Sequence, residues 1–269
     1  MGVTTIAGLI VAAIGIIGGY TIEGGSVAAL INIPGFFIVV VGTLGATLVS
    51  APMSTMKAIP QGFLRSVRGS SGIAGHVMAE RLVVMADKAR REGLLSLEEE
   101  AKNVGDDFAK KGLMLMIDGT DPEAIKGIME IEIDGAASRE KERIEVFRTG
   151  SGFSPTLGVL GAVLGLIHVL SGLGGDVGEL GKGIATAFVA TFYGVGLANI
   201  VLLPVAMKLK AIAAEEQVVR DMILEGILSI QAGDNPRIVR EKLQSFLPPD
   251  ERAHETSAES NGDAVRAAA

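Results

Sequence analysis

Residues 151–207 read SGFSPTLGVLGAVLGLIHVLSGLGGDVGELGKGIATAFVATFYGVGLANIVLLPVAM, two long apolar runs joined by a short Gly-rich connector. In the first run, His168 is the one ionisable side chain between Arg148 and Asp176, and the second run has no acidic or basic side chain between Lys182 and Lys208. A helix needs about 20 apolar residues to cross a hydrocarbon layer about 30 Å thick. Each run is therefore long enough to span a membrane.

Both runs carry small side chains at helical spacing. They are Pro155, Gly158, Ala162 and Gly165 in the first run and Ala187, Thr191, Gly194 and Ala198 in the second. Residues three or four apart share one helix face, so each helix presents a face that another helix can approach closely. These faces either pack the helices together or line a narrow passage. In the second interpretation Thr191 supplies a hydroxyl, and Pro155, which has no N–H, leaves a backbone carbonyl free at the cytoplasmic mouth.

The apolar residues of the whole chain are gathered into four blocks instead of being spread with amphipathic spacing. Residues 2–22 and about 31–52 form two further uncharged blocks, and none of the four contains Asp, Glu, Lys or Arg. The long polar segment between the second and third blocks has helical periodicity. The sequence therefore predicts an all-α membrane protein with four transmembrane helices and a large helical cytoplasmic loop between the second and third.

Composition argues against several classes of function. The 269 residues include no Cys, which excludes a disulfide framework, a thiolate metal site and a Cys nucleophile. A net charge of −7 without a basic stripe argues against a nucleic-acid partner. The sequence has no phosphate-binding loop, nucleophile elbow or zinc-protease motif. We therefore predict that the protein is not an enzyme and has neither a metal site nor a cofactor.

The distribution of Lys and Arg predicts the orientation. The segment from Lys57 to Arg148 holds 15 Lys plus Arg, whereas the two short connectors on the other side hold only Lys182. Positive residues collect on the cytoplasmic side, so this segment and both termini are predicted to be cytoplasmic. The predicted divisions are transmembrane helices 1 and 2 (1–52), a cytoplasmic helical region (53–150), transmembrane helices 3 and 4 (151–207), cytoplasmic C-terminal helices (208–247) and a disordered tail (248–269).

Local signals within the loop predict where its helices begin and end. Asp121 followed by Pro122 is typical of a helix start, and Ser96 followed by Glu99 is typical of a capping box. From Pro122 the helix could continue into the third membrane block, loosened at two glycines, Gly150 and Gly152. One apolar stripe is formed by Val77, Met78, Leu82, Met85 and Ala89.

Three loop charges lie at predicted helix ends. Arg90 and Arg91 come just before Gly93, where cations suit a helix C-terminus, and Glu98 lies in the first turn after Ser96, where an acid suits an N-terminus. Helix stabilisation alone can explain all three charges. It is also compatible with binding, because charges held at helix ends are exposed.

Four motifs, in this order along the chain, resemble the MotA/PomA family of flagellar motor stator subunits. They are PGFFIVVVGTLGATLVSAP from residue 34, ARREGLLSLEEE from residue 89, SPTLGVLGAVLGLI from residue 154 and ATFYGVGLAN from residue 190. The resemblance extends from residue 1 to about residue 246. Four consecutive motifs with the expected spacing make it highly specific.

The resemblance implies a multi-pass protein of the bacterial inner membrane that forms a homopentamer around a MotB dimer. MotB supplies the ion-carrying Asp, which accounts for the absence of a membrane carboxylate here, and ion flow turns the ring against the rotor protein FliG. The implied ion-pathway residues are Pro155, Ala162, Thr191 and Pro204. The implied rotor-binding residues are Arg90, Arg91 and Glu98.

The resemblance also bears on which ion is used. Sodium-driven relatives have a threonine one position after the glycine that matches Gly161, and here that residue is Ala162. Sodium needs several oxygen ligands, whereas a carboxylic acid carries a proton covalently. We therefore expect a proton-driven stator. The alternatives are an energy transducer of the ExbB/TolQ type, which has three spans and lacks the loop motif, and a passive membrane scaffold.

Overall fold

The computed structural model describes residues 2–57, 59–70, 72–171, 177–249 and 251, and every regular element among them is a helix. The main helices are α1 (Gly2–Ile22), α2 (Ile33–Ser50), α3 (Ile59–Arg68), α4 (Gly75–Glu92), α5 (Glu98–Lys102), α6 (Asp107–Ile117), α7 (Pro122–Ser171), α8 (Val177–Gly196 continued by Leu197–Leu202 and Leu203–Gln231) and α9 (Pro236–Gln244). Short helical turns at Val27–Leu30, Met53–Met56 and Leu94–Leu97 connect them.

Four of these helices, α1, α2, α7 and α8, are long and apolar enough to cross a membrane. The prediction of an all-helical protein with four long apolar helices is thus confirmed. Each helix covers nearly the whole of its uncharged block because a helix in lipid must satisfy its own backbone groups, and α7 and α8 also continue into polar sequence. Two of them contain a π-helical segment, Phe37–Val41 in α2 and Leu197–Leu202 in α8.

Helix α7 runs without interruption for 50 residues, so the predicted continuation from Pro122 into the third membrane block is correct. The expected loosening at Gly150 and Gly152 is wrong, because both residues are helical. Gly150 lies in a close contact: a Cβ built there would be 3.4 Å from Leu202 Cδ1 and from Thr47 Oγ1. Packing against neighbouring helices thus compensates for the low helix propensity of glycine.

The chain forms two compact units. One comprises Met1–Ser70 and Arg139–Ile212, and the other comprises Ser71–Ser138 and Ala213–Ala269. The predicted divisions at residues 52, 150 and 207 follow hydropathy, whereas the units follow packing, so those divisions stay a prediction. The predicted tail, 248–269, lies outside the described residues except for 248, 249 and 251, as do residues 173–176 of the outer connector.

The second unit has a large apolar core. It is built from α4, α6, the first turns of α7, the last turns of α8, and α9, and its fully buried side chains include Met78, Leu82, Leu113, Met116, Ile125, Met129, Ile223 and Ile227. The predicted stripe on α4 is right for Met78, Leu82, Met85 and Ala89, which are buried, but wrong for Val77, which is 36% exposed. The buried face of α4 extends from Met78 toward Ala79, whereas Val77 lies about 100° from Met78 in the opposite direction and so falls outside that face.

One of the two predicted helix starts is correct. The backbone N–H of Glu123 donates to Asp121 Oδ1 at 3.0 Å, as the cap before Pro122 predicts. The capping box at Ser96 is wrong. Ser96 lies inside the turn Leu94–Leu97, where its hydroxyl donates to the Gly93 carbonyl at 2.7 Å, and α5 begins at Glu98 without a side-chain cap.

Candidate functional site

The third and fourth apolar helices cross at two glycines. A Cβ built on Gly194 of α8 would lie 2.7 Å from the Ser154 carbonyl oxygen and 2.8 Å from Gly158 Cα. A Cβ on Gly158 of α7 would lie 3.0 Å from the Ala190 carbonyl oxygen and 3.1 Å from Gly194 Cα. The two backbones therefore touch each other directly, which only glycine permits.

The same close contact continues toward the other end of the two helices. Gly161 faces Ala190, and Gly165 faces Ala187, with built Cβ atoms 2.9 Å and 2.8 Å from the respective alanine Cβ atoms. Both alanines are buried. Within one chain, these glycines and alanines therefore pack α7 against α8.

Three of the four predicted ion-pathway residues lie along the edge of this contact and remain half-buried: Pro155, Ala162 and Thr191. The Thr191 hydroxyl donates to the Gly158 carbonyl at 3.4 Å, which is longer than a usual hydrogen bond. Pro155 has no N–H, so the Ser151 carbonyl one turn earlier receives no helical hydrogen bond from it. The edge thus offers a hydroxyl and a carbonyl.

The fourth residue, Pro204, is exposed and lies apart from the other three. It is about 20 Å from Thr191 along α8, at a rise of about 1.5 Å per residue. The π-helical segment Leu197–Leu202 ends just before it. Pro204 cannot donate a hydrogen bond to Ile200, and a widened turn is one way in which a helix accommodates such a proline.

Sequence reasoning missed Ser154, which is fully buried next to Pro155. Its hydroxyl donates to the Gly194 carbonyl at 2.8 Å and so joins α7 to α8 at the glycine crossing. A hydroxyl one residue before a predicted pathway proline is a signal that could have identified it. In lipid such a bond between helices is worth roughly 0.6–2 kcal/mol.

A second missed feature connects the start of α2 to α8. The Asn32 side chain donates to the Thr186 carbonyl at 2.8 Å, and the Asn32 backbone N–H donates to the Tyr193 hydroxyl at 3.0 Å. The Tyr193 hydroxyl in turn donates to the Leu30 carbonyl. These bonds, the Asn32–Tyr193 clamp, satisfy polar groups that are buried between apolar segments.

The three predicted rotor-binding charges lie on the second unit, at the ends of α4 and α5. Arg90 is exposed and forms no ion pair with another residue that the structure describes. Arg91 pairs with Asp87 at 2.6 Å, and Glu98 pairs with Lys102 at 2.6 Å. The hydrogen bond from Lys102 and its charge hold the pKa of the Glu98 carboxyl below its ordinary value. Of the three, Arg90 is the charge most available to another molecule.

An ion pair between α4 and α5 stabilises the turn that joins them. The Lys88 ammonium donates to the Glu100 carboxylate, which raises the pKa of Lys88 and lowers that of Glu100. Gly93 has φ +85°, a left-handed conformation that favours glycine, and it ends α4. The exposed charges are thus presented by a turn whose backbone and side chains are both fixed.

Two family models match the chain. The MotA/TolQ/ExbB proton channel family matches residues 100–222, and the N-terminal region of motility protein A matches residues 6–93. The chain is 39% identical to motility protein A of Borreliella burgdorferi over 222 residues, which are 82% of this chain and 85% of that protein.

Solved structures give the same result for the fold. C. jejuni MotAB matches with a TM-score of 0.89 and 32% identity, over 93% of this chain and 97% of that one. The flagellar MotAB stator complex from Bacillus subtilis matches with a TM-score of 0.87 and 34% identity, over 93% and 98% of the two chains. The similarity therefore extends over both compact units.

Proposed function

The chain belongs to the motility protein A family of flagellar stator subunits, and from that premise we propose that it forms a proton channel with MotB and converts ion flow into torque on the rotor. One observation carries the proposal. The four apolar blocks, residues 2–22, 31–52, 151–171 and 183–207, contain no Asp, Glu, Lys or Arg, although ion-translocating membrane proteins usually hold such a group inside the membrane. The ion-carrying carboxylate therefore comes from another chain, and we assign it to the Asp of MotB.

We further propose that five copies surround a MotB dimer, with the edge formed by Pro155, Ala162 and Thr191 facing the partner helices. Support comes from the packing within one chain. The glycine faces of α7 and α8 pack against each other and so cannot contact another chain. The edge, in contrast, is half-buried and carries polar groups. We expect the Thr191 hydroxyl and the Ser151 carbonyl, which receives no hydrogen bond from Pro155, to exchange hydrogen bonds with a protonated carboxyl group.

The ion is proposed to be the proton. Among the three edge residues Ala162 offers no side-chain oxygen, and the Thr191 hydroxyl, which donates to the Gly158 carbonyl, does.

We expect proton flux in vesicles that hold the chain with MotB, and little flux with the chain alone. Swimming should slow when a protonophore is added and should not respond to replacing sodium with potassium. Flux without MotB would favour a simple channel, no flux with MotB would favour a passive scaffold, and a motor that stops in sodium-free medium would contradict the choice of ion.

The orientation is proposed to place both termini and residues 53–150 in the cytoplasm, with the protein in the bacterial inner membrane. The support is the excess of Lys and Arg in that segment. Alkaline phosphatase, which is active only outside the cytoplasm, should be inactive when fused after Asp118. The same fusion after Gly24, in the connector between α1 and α2, should be active. The reverse pattern would invert the proposed topology.

We propose that the turn from α4 to α5 binds the rotor protein FliG through Arg90, Arg91 and Glu98. Support comes from their exposure and from the fixed geometry of the turn. Because Arg91 and Glu98 each have a partner one turn away, Arg90 should contribute most to this contact.

A further inference from the structure

Helix α3 packs one face against the first compact unit. Gly62 and Ser66 are buried, and a Cβ built on Gly62 would lie 2.9 Å from the Phe147 ring and 3.5 Å from Leu209 Cδ1. The Thr5 hydroxyl of α1 donates to the Ser66 carbonyl at 3.1 Å. The inner face of α3 is therefore fixed to three other helices.

These contacts place α3 at the level where the uncharged stretches of the neighbouring helices end. Thr5 lies in the first turns of α1, Phe147 is next to Arg148, and Leu209 lies between the first two lysines after the fourth apolar block. An ion pair at this level, Arg65 with Glu140 at 2.8 Å, joins α3 to α7. Helix α3 therefore lies at the boundary between the apolar and polar parts of the chain.

The outer face of α3 combines apolar side chains and cations. Phe63 and Leu64 are 41% and 45% exposed, and Arg68, one turn after Leu64, is exposed as is Lys57 just before the helix. Neither cation forms an ion pair with another residue that the structure describes. There is no acidic residue between Glu23 and Glu80.

We propose that α3 lies on the membrane surface, with Phe63 and Leu64 inserted among the lipids and with Lys57 and Arg68 binding the phosphates of anionic phospholipid headgroups. A short helix with aromatic and aliphatic side chains beside Lys and Arg is the pattern of an interfacial helix. Each cation near an anionic leaflet strengthens lipid binding about fivefold. The inference goes beyond the stator function and rests only on insertion of the chain in a membrane.

The charges favour a lipid surface over a neighbouring copy of the chain as the occupant. A protein surface is usually of mixed charge, and a complementary interface would place acids as well as bases on this face. Here a stretch of more than fifty residues contains bases and no acid. Such a face fits a partner that carries only negative charge. At the level where the uncharged stretches end, the surface of an anionic bilayer is such a partner.

The test uses the absence of Trp from the chain. Phe63→Trp introduces a single tryptophan on the outer face of α3, which can be excited selectively in the presence of the two tyrosines. The full-length variant is reconstituted into phosphatidylcholine vesicles with a minor fraction of brominated phosphatidylglycerol or brominated phosphatidylcholine, each of which quenches Trp on contact. We expect stronger quenching by the brominated phosphatidylglycerol, and we expect Arg68→Gln to reduce this preference about fivefold.

Two controls complete the design. Lys110→Gln removes an exposed cation from the other compact unit and should leave the preference unchanged, and Ile14→Trp, in the exposed middle of α1, should be quenched equally by both lipids. Absence of quenching at position 63 would mean that protein covers this face, and equal quenching by the two lipids would mean that the headgroup is not recognised. Either result overturns the proposal. Proton flux, measured on separate vesicles that hold the same variant with MotB, tests the stator function independently.

Discussion

A Gly194→Ala variant should lose swimming and proton flux together. The added Cβ would point at backbone atoms, the Ser154 carbonyl oxygen at 2.7 Å and Gly158 Cα at 2.8 Å, which cannot move aside without separating α7 from α8. Overpacking of a well-packed core costs about 1–3 kcal/mol, and more when the backbone has to shift. Swimming in soft agar and flux in vesicles with MotB measure the effect.

The matched control is Gly152→Ala. It makes the same chemical change on α7, at an exposed position where a built Cβ meets nothing within 4 Å. Alanine in a helix is favoured over glycine by about 1 kcal/mol, so this variant should swim normally. If Gly194→Ala conducts protons as well as Gly152→Ala does, the helices do not cross as closely in the working protein.

An Arg90→Glu variant should assemble and conduct but should swim poorly. Arg90 is exposed and has no described partner, so its reversal removes no internal contact and acts on the rotor surface alone. Exposed pairs are worth only about 0.2–1 kcal/mol, so neutralisation to Gln should be mild, whereas reversal turns attraction into repulsion. Swimming speed, MotB co-purification and proton flux are measured together.

Lys110→Glu provides the same charge reversal at another exposed position and should swim normally. A compensating charge reversal in FliG should restore the Arg90→Glu motor. Glu98→Lys is a less clean test because it also creates repulsion with Lys102 in the same helix, worth about 0.2–0.5 kcal/mol. Normal swimming of Arg90→Glu would show that Arg90 is not a rotor contact.

The spans and the continuous helix α7 were predictable because hydropathy and helix propensity depend on residues near in sequence. The start of α7 was predictable for the same reason, because Asp121 caps the helix that begins at the next residue, Pro122. Ser96 did not follow that rule, since a serine hydroxyl can bond to several nearby carbonyls and the local sequence does not decide among them. The π-helical segment Phe37–Val41 has no such local signal, whereas Leu197–Leu202 precedes Pro204.

The candidate site was predictable only in part. Spacing identified small faces on α7 and α8, but whether those faces meet each other or another chain depends on contacts between distant residues. The structure pairs Gly158 with Gly194 and leaves Thr191 at the edge. The hydrogen bond from Ser154 to Gly194 joins residues 40 positions apart, and no periodic pattern in the sequence predicts it.

The Asn32–Tyr193 clamp sets an order of events during synthesis of the chain. Its two residues are 161 positions apart, so at about 5–20 residues per second Tyr193 is made roughly 8–30 s after Asn32. During that time the Asn32 amide and the Leu30 carbonyl lack these partners on α8. The hydrogen bonds that hold the start of α2 against α8 can therefore form only after the fourth apolar block has been synthesised.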